Sequence, residues 1–145
     1  MIALIQRVRE ASVTVDGAGV AAIGPGLLAL IGIEKADTAA HAARLQQKLL
    51  NYRVFPDADG KMNLNVMEVA GEVLLVSQFT LAANTTKGNR PGFDPAMPPE
   101  AAETMFARFC ADVRRAYPRV QNGIFGAHMQ VALVNDGPVT FWLQV

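Results

Sequence analysis

Residues 77–81 read SQFTL and close an apolar run, EVLLV, that begins at Glu72. Three hydrogen-bonding side chains, Ser77, Gln78 and Thr80, interrupt what should be a buried strand. Two chemistries fit such a cluster. The polar side chains satisfy local backbone groups where a strand frays. Alternatively they line a polar pocket whose backbone N–H groups and hydroxyls meet a ligand. Neither Ser77 nor Thr80 has a histidine or lysine nearby in sequence to activate its hydroxyl. The adjoining KGNR, residues 87–90, adds a modest basic patch, for which plain solvation is the simpler reading.

A second unusual stretch is NDGPVTFWLQV, residues 135–145. An apolar strand there begins with Gly137-Pro138. Proline cannot donate to a ladder and is confined to strand starts, edges or bulges. Glycine before it allows backbone angles that other residues avoid. The pair is either a plain turn or a backbone shape that something else needs.

Familiar catalytic sets are missing. His41 falls within a helical pattern and reads as a solvated or half-buried helix residue. His128 begins a strand without an HxH or HExxH neighbour, which argues against a metal site. Cys110 sits beside an apolar helical stripe and reads as a buried structural thiol. No GxSxG elbow, Walker loop or GxGxxG occurs. Gly24-Pro25-Gly26 reads as a turn. Asp57, Asp59 and Gly60 lack the remaining ligands of a calcium loop and read as a solvated turn.

The elements that must position these residues follow from periodicity. Strands are expected at 2–8, 12–15 and 20–23, with Asp16-Gly17 as the hairpin turn between the last two. LLALIGI at 27–33 is apolar on both faces, as a central strand requires. Asp37-Thr38 caps a helix through about Tyr52, with Ala42, Leu45, Leu49 and Tyr52 on one face. Residues 56–65 are turn-rich, and a strand covers 72–81. The irregular stretch 82–97 is too long for an idle connection and is a candidate functional loop.

Pro98-Pro99 opens a second helix with Ala102, Met105, Phe106, Phe109 and Val113 as its stripe. Its acidic start and basic end suit the helix dipole. Strands at 128–134 and 138–145 finish the chain. The expected class is α/β: mixed, strand-rich layered sheets (β/β/α, partly barrel-like) with two main helices on one side. The element order is not a plain alternation, so a Rossmann sheet is not expected.

At 145 residues the chain fits a single domain, 1–145, with a real core. Apolar residues make up 51% and charged ones 18%, so it is globular and not disordered. No apolar run is long enough for a membrane span, and the N-terminus reads as a strand without signal-peptide features. One cysteine allows no intramolecular disulfide and fits a reducing cytosol, so a cytoplasmic location is expected. Zero formal net charge gives no global attraction to nucleic acid or membrane, so RNA contacts would need local basic clusters.

SQFTL combined with NDGPVTFWLQV closely resembles the D-aminoacyl-tRNA deacylases, the family first named D-tyrosyl-tRNA deacylase. MIALIQRVREASVTV at the start and DGKMNLNV at 59–66 resemble the same family, so the likeness runs along essentially the whole chain. It implies a homodimeric cytosolic hydrolase that needs no cofactor or metal. Such an enzyme cleaves the ester between a D-amino acid, or glycine, and the terminal ribose of tRNA.

The resemblance also implies a cis Gly137-Pro138 that reaches into the partner subunit's active site. The two carbonyls of this motif would grip the substrate's α-amino group, so that an L side chain collides with backbone. Arg7 and Gln78 resemble the residues that hold the motif in position. Phe125 and Met129 resemble residues lining the adenosine pocket. Ser77, Gln78, Phe79 and Thr80 form the catalytic stretch, with the N–H groups of Phe79 and Thr80 as an oxyanion site and the ribose 2′-OH assisting. Thr80 as a nucleophile is the minor alternative. A non-catalytic dimeric module binding a nucleotide or amino acid in the same pocket is the other reading.

Overall fold

The structure, a computed structural model, describes residues Met1–Val145. Its longest ladder is built by two strands, β1 (Ile2–Val15) and β8 (Gln130–Gln144), paired antiparallel from Ile2–Gln144 to Thr14–Gln130. Along the other edge of β1 lie β2 (Ala18–Ile23) and then β3 (Gly26–Gly32), so the two meet β1 in succession. Beyond β3 the sheet continues in parallel with β6 (Glu72–Ser77) and β7 (Val120–Asn122). A small separate hairpin joins β4 (Phe55–Pro56) to β5 (Met62–Leu64). Helices α1 (Ala39–Asn51) and α2 (Pro99–Ala116) pack against each other and on one face of the sheet.

The Asp16-Gly17 turn forms as expected, both residues adopting positive φ (50° and 79°), the twist that a two-residue hairpin requires. At the first helix Thr38 is the N-cap, and His41 serves the helix by accepting the Thr38 N–H on Nδ1 at 3.1 Å. The second helix starts on Pro99 and buries Ala102, Phe106, Phe109, Cys110 and Val113. Asp57 accepts the N–H groups of Asp59 and Lys61 and the amide of Asn63, so this carboxylate is occupied in holding its own turn.

Four expectations need correction. Residues 2–8 and 12–15 belong to one strand, because between them the ladder to β8 skips only Arg9 and resumes at the polar Glu10. Likewise the segments expected at 128–134 and 138–145 form one strand, Gln130–Gln144, which starts after His128, and Gly137-Pro138 lies in a bulge inside it, not at a strand start. Strand β6 ends at Ser77 and not at Leu81. The Gln78 N–H makes the last bond to β3 (Ile31 O, 2.7 Å), and Phe79–Ala82 then curl into a 3-10 turn. Finally, β7 and the β4–β5 hairpin escaped detection because strands of two or three residues carry no readable alternation.

Two apolar clusters follow from the alternation. Ala3, Ile5, Leu27, Ala29, Ile31, Val73 and Leu75 face the helices, where Leu45, Leu49, Phe106, Phe109 and Val113 cover them. Val8, Ala11, Val13, Ala21, Ile23, Leu28, Leu74 and Val76 form the second cluster, on the opposite face of β3 and β6. The sheet curls around this second cluster until β2 approaches β7. There the Gln121 carboxamide bridges the seam, donating to Ala22 O (2.7 Å) and accepting the Ala22 N–H (3.2 Å). The result is a mixed, nearly closed sheet with both helices on one side, and not a Rossmann arrangement.

Phe109 is the largest of the side chains almost completely excluded from solvent. Phe109→Ala should cost about 3–5 kcal/mol, the range for truncating a buried aromatic. Denaturant unfolding of the two proteins checks this.

Candidate active site

A cavity of about 650 Å³ opens where β3 and β6 end, within the size range of sites that enclose a small ligand. Val76, Ser77, Gln78 and Phe79 line it from the end of β6, and Pro98, Pro99 and Ala102 from the start of α2. Phe125 and Met129 line it from the segment that precedes β8. Two packing details place those last residues. Phe125 rests on Phe106 of α2, ring centroids 6.0 Å apart. A Cβ on residue 123 would come within 2.7 Å of the Met129 sulfur, so Gly123 leaves open the space that Met129 fills.

Ending β6 at Ser77 has a chemical consequence. Phe79 and Thr80 open the 3-10 turn, so their N–H groups have no acceptor within it, and no side chain caps them. Two neighbouring donors at a cavity edge can stabilise an oxygen that gains negative charge. Gln78 Nε2 donates to Thr80 Oγ1, which ties the two polar side chains of the turn together. Thr80 itself is exposed and lies beside the cavity, not in its wall.

The other predicted residues are elsewhere. Arg7, largely buried, donates from Nε to Asp136 O (2.9 Å) and from Nη1 to Val54 O (2.6 Å). These bonds hold the bulge that carries Gly137 and Pro138, both exposed, with a cis peptide between them. Neither residue lines the cavity of its own chain. Nine candidate residues therefore fall into two groups: Ser77, Gln78, Phe79, Phe125 and Met129 in the cavity wall with Thr80 next to it in the turn, and Arg7, Gly137 and Pro138 at the bulge.

Sequence reasoning missed Lys35, Phe93, Met97 and His128 as cavity residues. Phe93 and Met97 belong to the candidate loop 82–97, and its fastening explains the lining. Lys35 N–H bonds Pro95 O (2.9 Å) and Met97 N–H bonds Ile33 O (3.0 Å), drawing residues 95–97 against the end of β3. Phe93 then meets Phe79 with centroids 5.0 Å apart, an aromatic pair that stays unusually exposed. An aromatic between Gly92 and Asp94 in a polar loop was the available signal. Lys87 and Arg90 of the KGNR patch are not in the cavity wall. Burial pushes the Cys110 thiol up to about 12, with Arg114 opposing, which leaves it protonated and structural.

Comparison with known proteins bears on both groups. The profile of D-Tyr-tRNA(Tyr) deacylase matches residues 4–144. A D-aminoacyl-tRNA deacylase of Dichelobacter nodosus is 63% identical over 145 residues, the whole of both chains. One of Ralstonia nicotianae is 60% identical over all of this chain and 90% of its own length. A solved structure described as a c-Myc DNA unwinding element binding protein superposes with a TM-score of 0.96 at 45% identity, covering 100% of this chain and 99% of that one. A probable eukaryotic D-amino acid tRNA deacylase shares the fold, with a TM-score of 0.85 at 18% identity over 99% and 98% of the two chains. With the profile spanning both the 77–80 turn and the 137–138 bulge, and relatives this similar along their full length, the chain belongs to the D-Tyr-tRNA(Tyr) deacylase family.

Proposed function

We propose that this protein is a D-aminoacyl-tRNA deacylase that hydrolyses the ester joining a D-amino acid or glycine to the terminal ribose of tRNA. The reading takes 1–145 as one catalytic domain acting in the cytoplasm. The supporting observation is the division of the candidate residues: a cavity walled by Ser77, Gln78 and Phe79, where the 3-10 turn leaves two N–H groups open, and an exposed Gly137-Pro138 bulge that does not reach it. A homodimer reconciles the two groups, since a twofold axis lets each protomer's bulge enter its partner's cavity.

In that arrangement Phe125 and Met129 enclose the terminal adenosine. The ester carbonyl oxygen accepts from the N–H groups of Phe79 and Thr80 as it becomes an oxyanion. The carbonyls of the partner's bulge hold the α-amino group. Water attacks the carbonyl carbon, the ribose oxygen leaves, and the neighbouring 2′-OH relays the proton. Positioning and oxyanion stabilisation are then the protein's contributions.

Selection works by exclusion, because contacts that reject one shape need not favour another. Matched D-, L- and glycyl-tRNA esters test the reading directly. D-aminoacyl and glycyl esters should be hydrolysed and the L-ester spared. Efficient cleavage of the L-ester, or no cleavage of any, would sink it.

The dimer makes its own prediction. Strand β8 pairs only with β1, leaving its outer edge open over fifteen residues, with Trp142 50% and Val134 46% exposed. Long apolar edges of this kind are covered in stable proteins. Light scattering at low micromolar concentration should report twice the 15.5 kDa chain mass. A fully active monomer would rule out action across the subunits.

A further inference from the structure

Between two ladder pairs, Val8–Asn135 and Gln6–Thr140, β1 advances two residues while β8 advances five. Asp136, Gly137, Pro138 and Val139 are thus looped out opposite Arg7 alone. Something must keep this exposed loop in one shape. Arg7 holds its first half through Asp136 O. Arg9 reaches the Asp136 carboxylate at 3.3 Å, but it is 75% exposed, and such surface pairs contribute little.

The second half is held from within the strand by Asn135. Its Oδ1 accepts the Val139 N–H at 2.7 Å, and its Nδ2 donates to Val139 O (3.3 Å) and Thr140 Oγ1 (3.1 Å). Gln6 Nε2 supports the same hydroxyl from β1 at 3.4 Å. The direction of these bonds matters because a peptide unit is planar. The Val139 N–H and the Pro138 carbonyl belong to one plane, so fixing the first aims the second. By the same argument, the Arg7 bond to Asp136 O fixes the plane ahead of Gly137. The Gly137 carbonyl lies on the peptide between those two fixed planes.

We propose that Asn135 is a positioning residue that aims the Pro138 and Gly137 carbonyls at the substrate's α-amino group. This rests on the reading of the bulge given above. An asparagine suits the task because one carboxamide supplies both the acceptor for Val139 N–H and the donors for Val139 O and Thr140. Aspartate keeps the acceptor alone, and leucine keeps neither.

The test compares wild type, N135L, N135D and G137A on two tRNA esters. One carries a D-amino acid, and the other carries the same acid with hydrogen in place of the α-amino group. N135L should lose at least tenfold in kcat/KM on the D-aminoacyl ester, mainly through KM, and N135D should recover most of it. On the ester lacking the amino group, N135L and wild type should agree within about twofold, as a double-mutant cycle requires when one partner is already missing.

Equal losses on both esters would reduce Asn135 to a structural role and overturn the proposal. So would an unimpaired N135L beside a crippled G137A, with the reading of the bulge left standing. An unimpaired G137A would instead remove that reading itself. Should N135L not fold, amide hydrogen exchange on the wild type decides. Val139 N–H should be protected within an otherwise exposed loop, and exchange at the unprotected rate would overturn the proposal.

Discussion

Replacing the 2′-hydroxyl of the terminal ribose with hydrogen should slow hydrolysis of the D-aminoacyl ester by about 10²–10⁴-fold, the range for a positioned acid–base group. The expectation comes from what surrounds the turn. Thr80 Oγ1 is bonded by Gln78 Nε2, an amide that cannot take its proton. The titratable side chains in the cavity wall are Lys35 and His128, and neither bonds to Ser77 or Thr80. In the proposed mechanism the substrate's own 2′-hydroxyl supplies the missing proton acceptor. Thr80→Ala, which keeps the backbone N–H, should therefore retain most of the activity. His128→Ala is the matching control, because His128 is the one histidine in the cavity wall. Loss of hydrolysis in His128→Ala together with normal turnover of the 2′-deoxy substrate would transfer the acid–base role to the protein. An acyl-enzyme trapped on Thr80 would restore covalent catalysis.

Where the sequence was legible, the residues acted locally. Asp16-Gly17 demanded its turn whatever surrounded it, and Thr38 and Pro99 marked their helices through the chemistry of free N–H groups. SQFTL stood out because polar side chains ended an apolar run. Its position was readable, but its shape was not. Whether residues 78–81 extend or curl depends on β3 supplying its last acceptor at Ile31, a tertiary fact.

The same limit hid the bulge. Gly137-Pro138 looks like a strand start until β1 resumes pairing on its far side, from Thr140 onward. Gln121 resembled any polar edge residue, yet it closes the sheet against Ala22. Met129 could be matched by resemblance, but the space it fills lies beside Gly123, six positions away in sequence and adjacent in space. Local signals thus picked out both groups of candidate residues, and the pairing of distant strands decided their geometry.

Gly137→Ala should abolish hydrolysis of D-aminoacyl-tRNA, by about 10²-fold or more, while leaving the fold in place. Residue 137 has a φ of 153°, a conformation that L side chains rarely adopt. A Cβ there would also lie 2.6 Å from Val139 Cγ2 and 2.8 Å from Val139 N, so the loop must reshape to accept it. That reshaping strikes the atoms that matter, since Val139 N is the group Asn135 holds. Gly137 and Pro138 are exposed and belong to neither apolar cluster, and only Val139, at the edge of the larger one, links the loop to a core. Stability should accordingly move little, and the dimer mass should be kept. At about 1.4 kcal/mol per tenfold, a hundredfold loss needs only about 3 kcal/mol of mispositioning at the α-amino group. The loss should appear for D-aminoacyl and glycyl esters alike, because in the proposed reading both present the same amino group to the same carbonyls. Single-turnover deacylation, read beside the thermal midpoint, separates the possibilities. A folded Gly137→Ala dimer that still cleaves the D-ester at the wild-type rate would show that the bulge is only a turn.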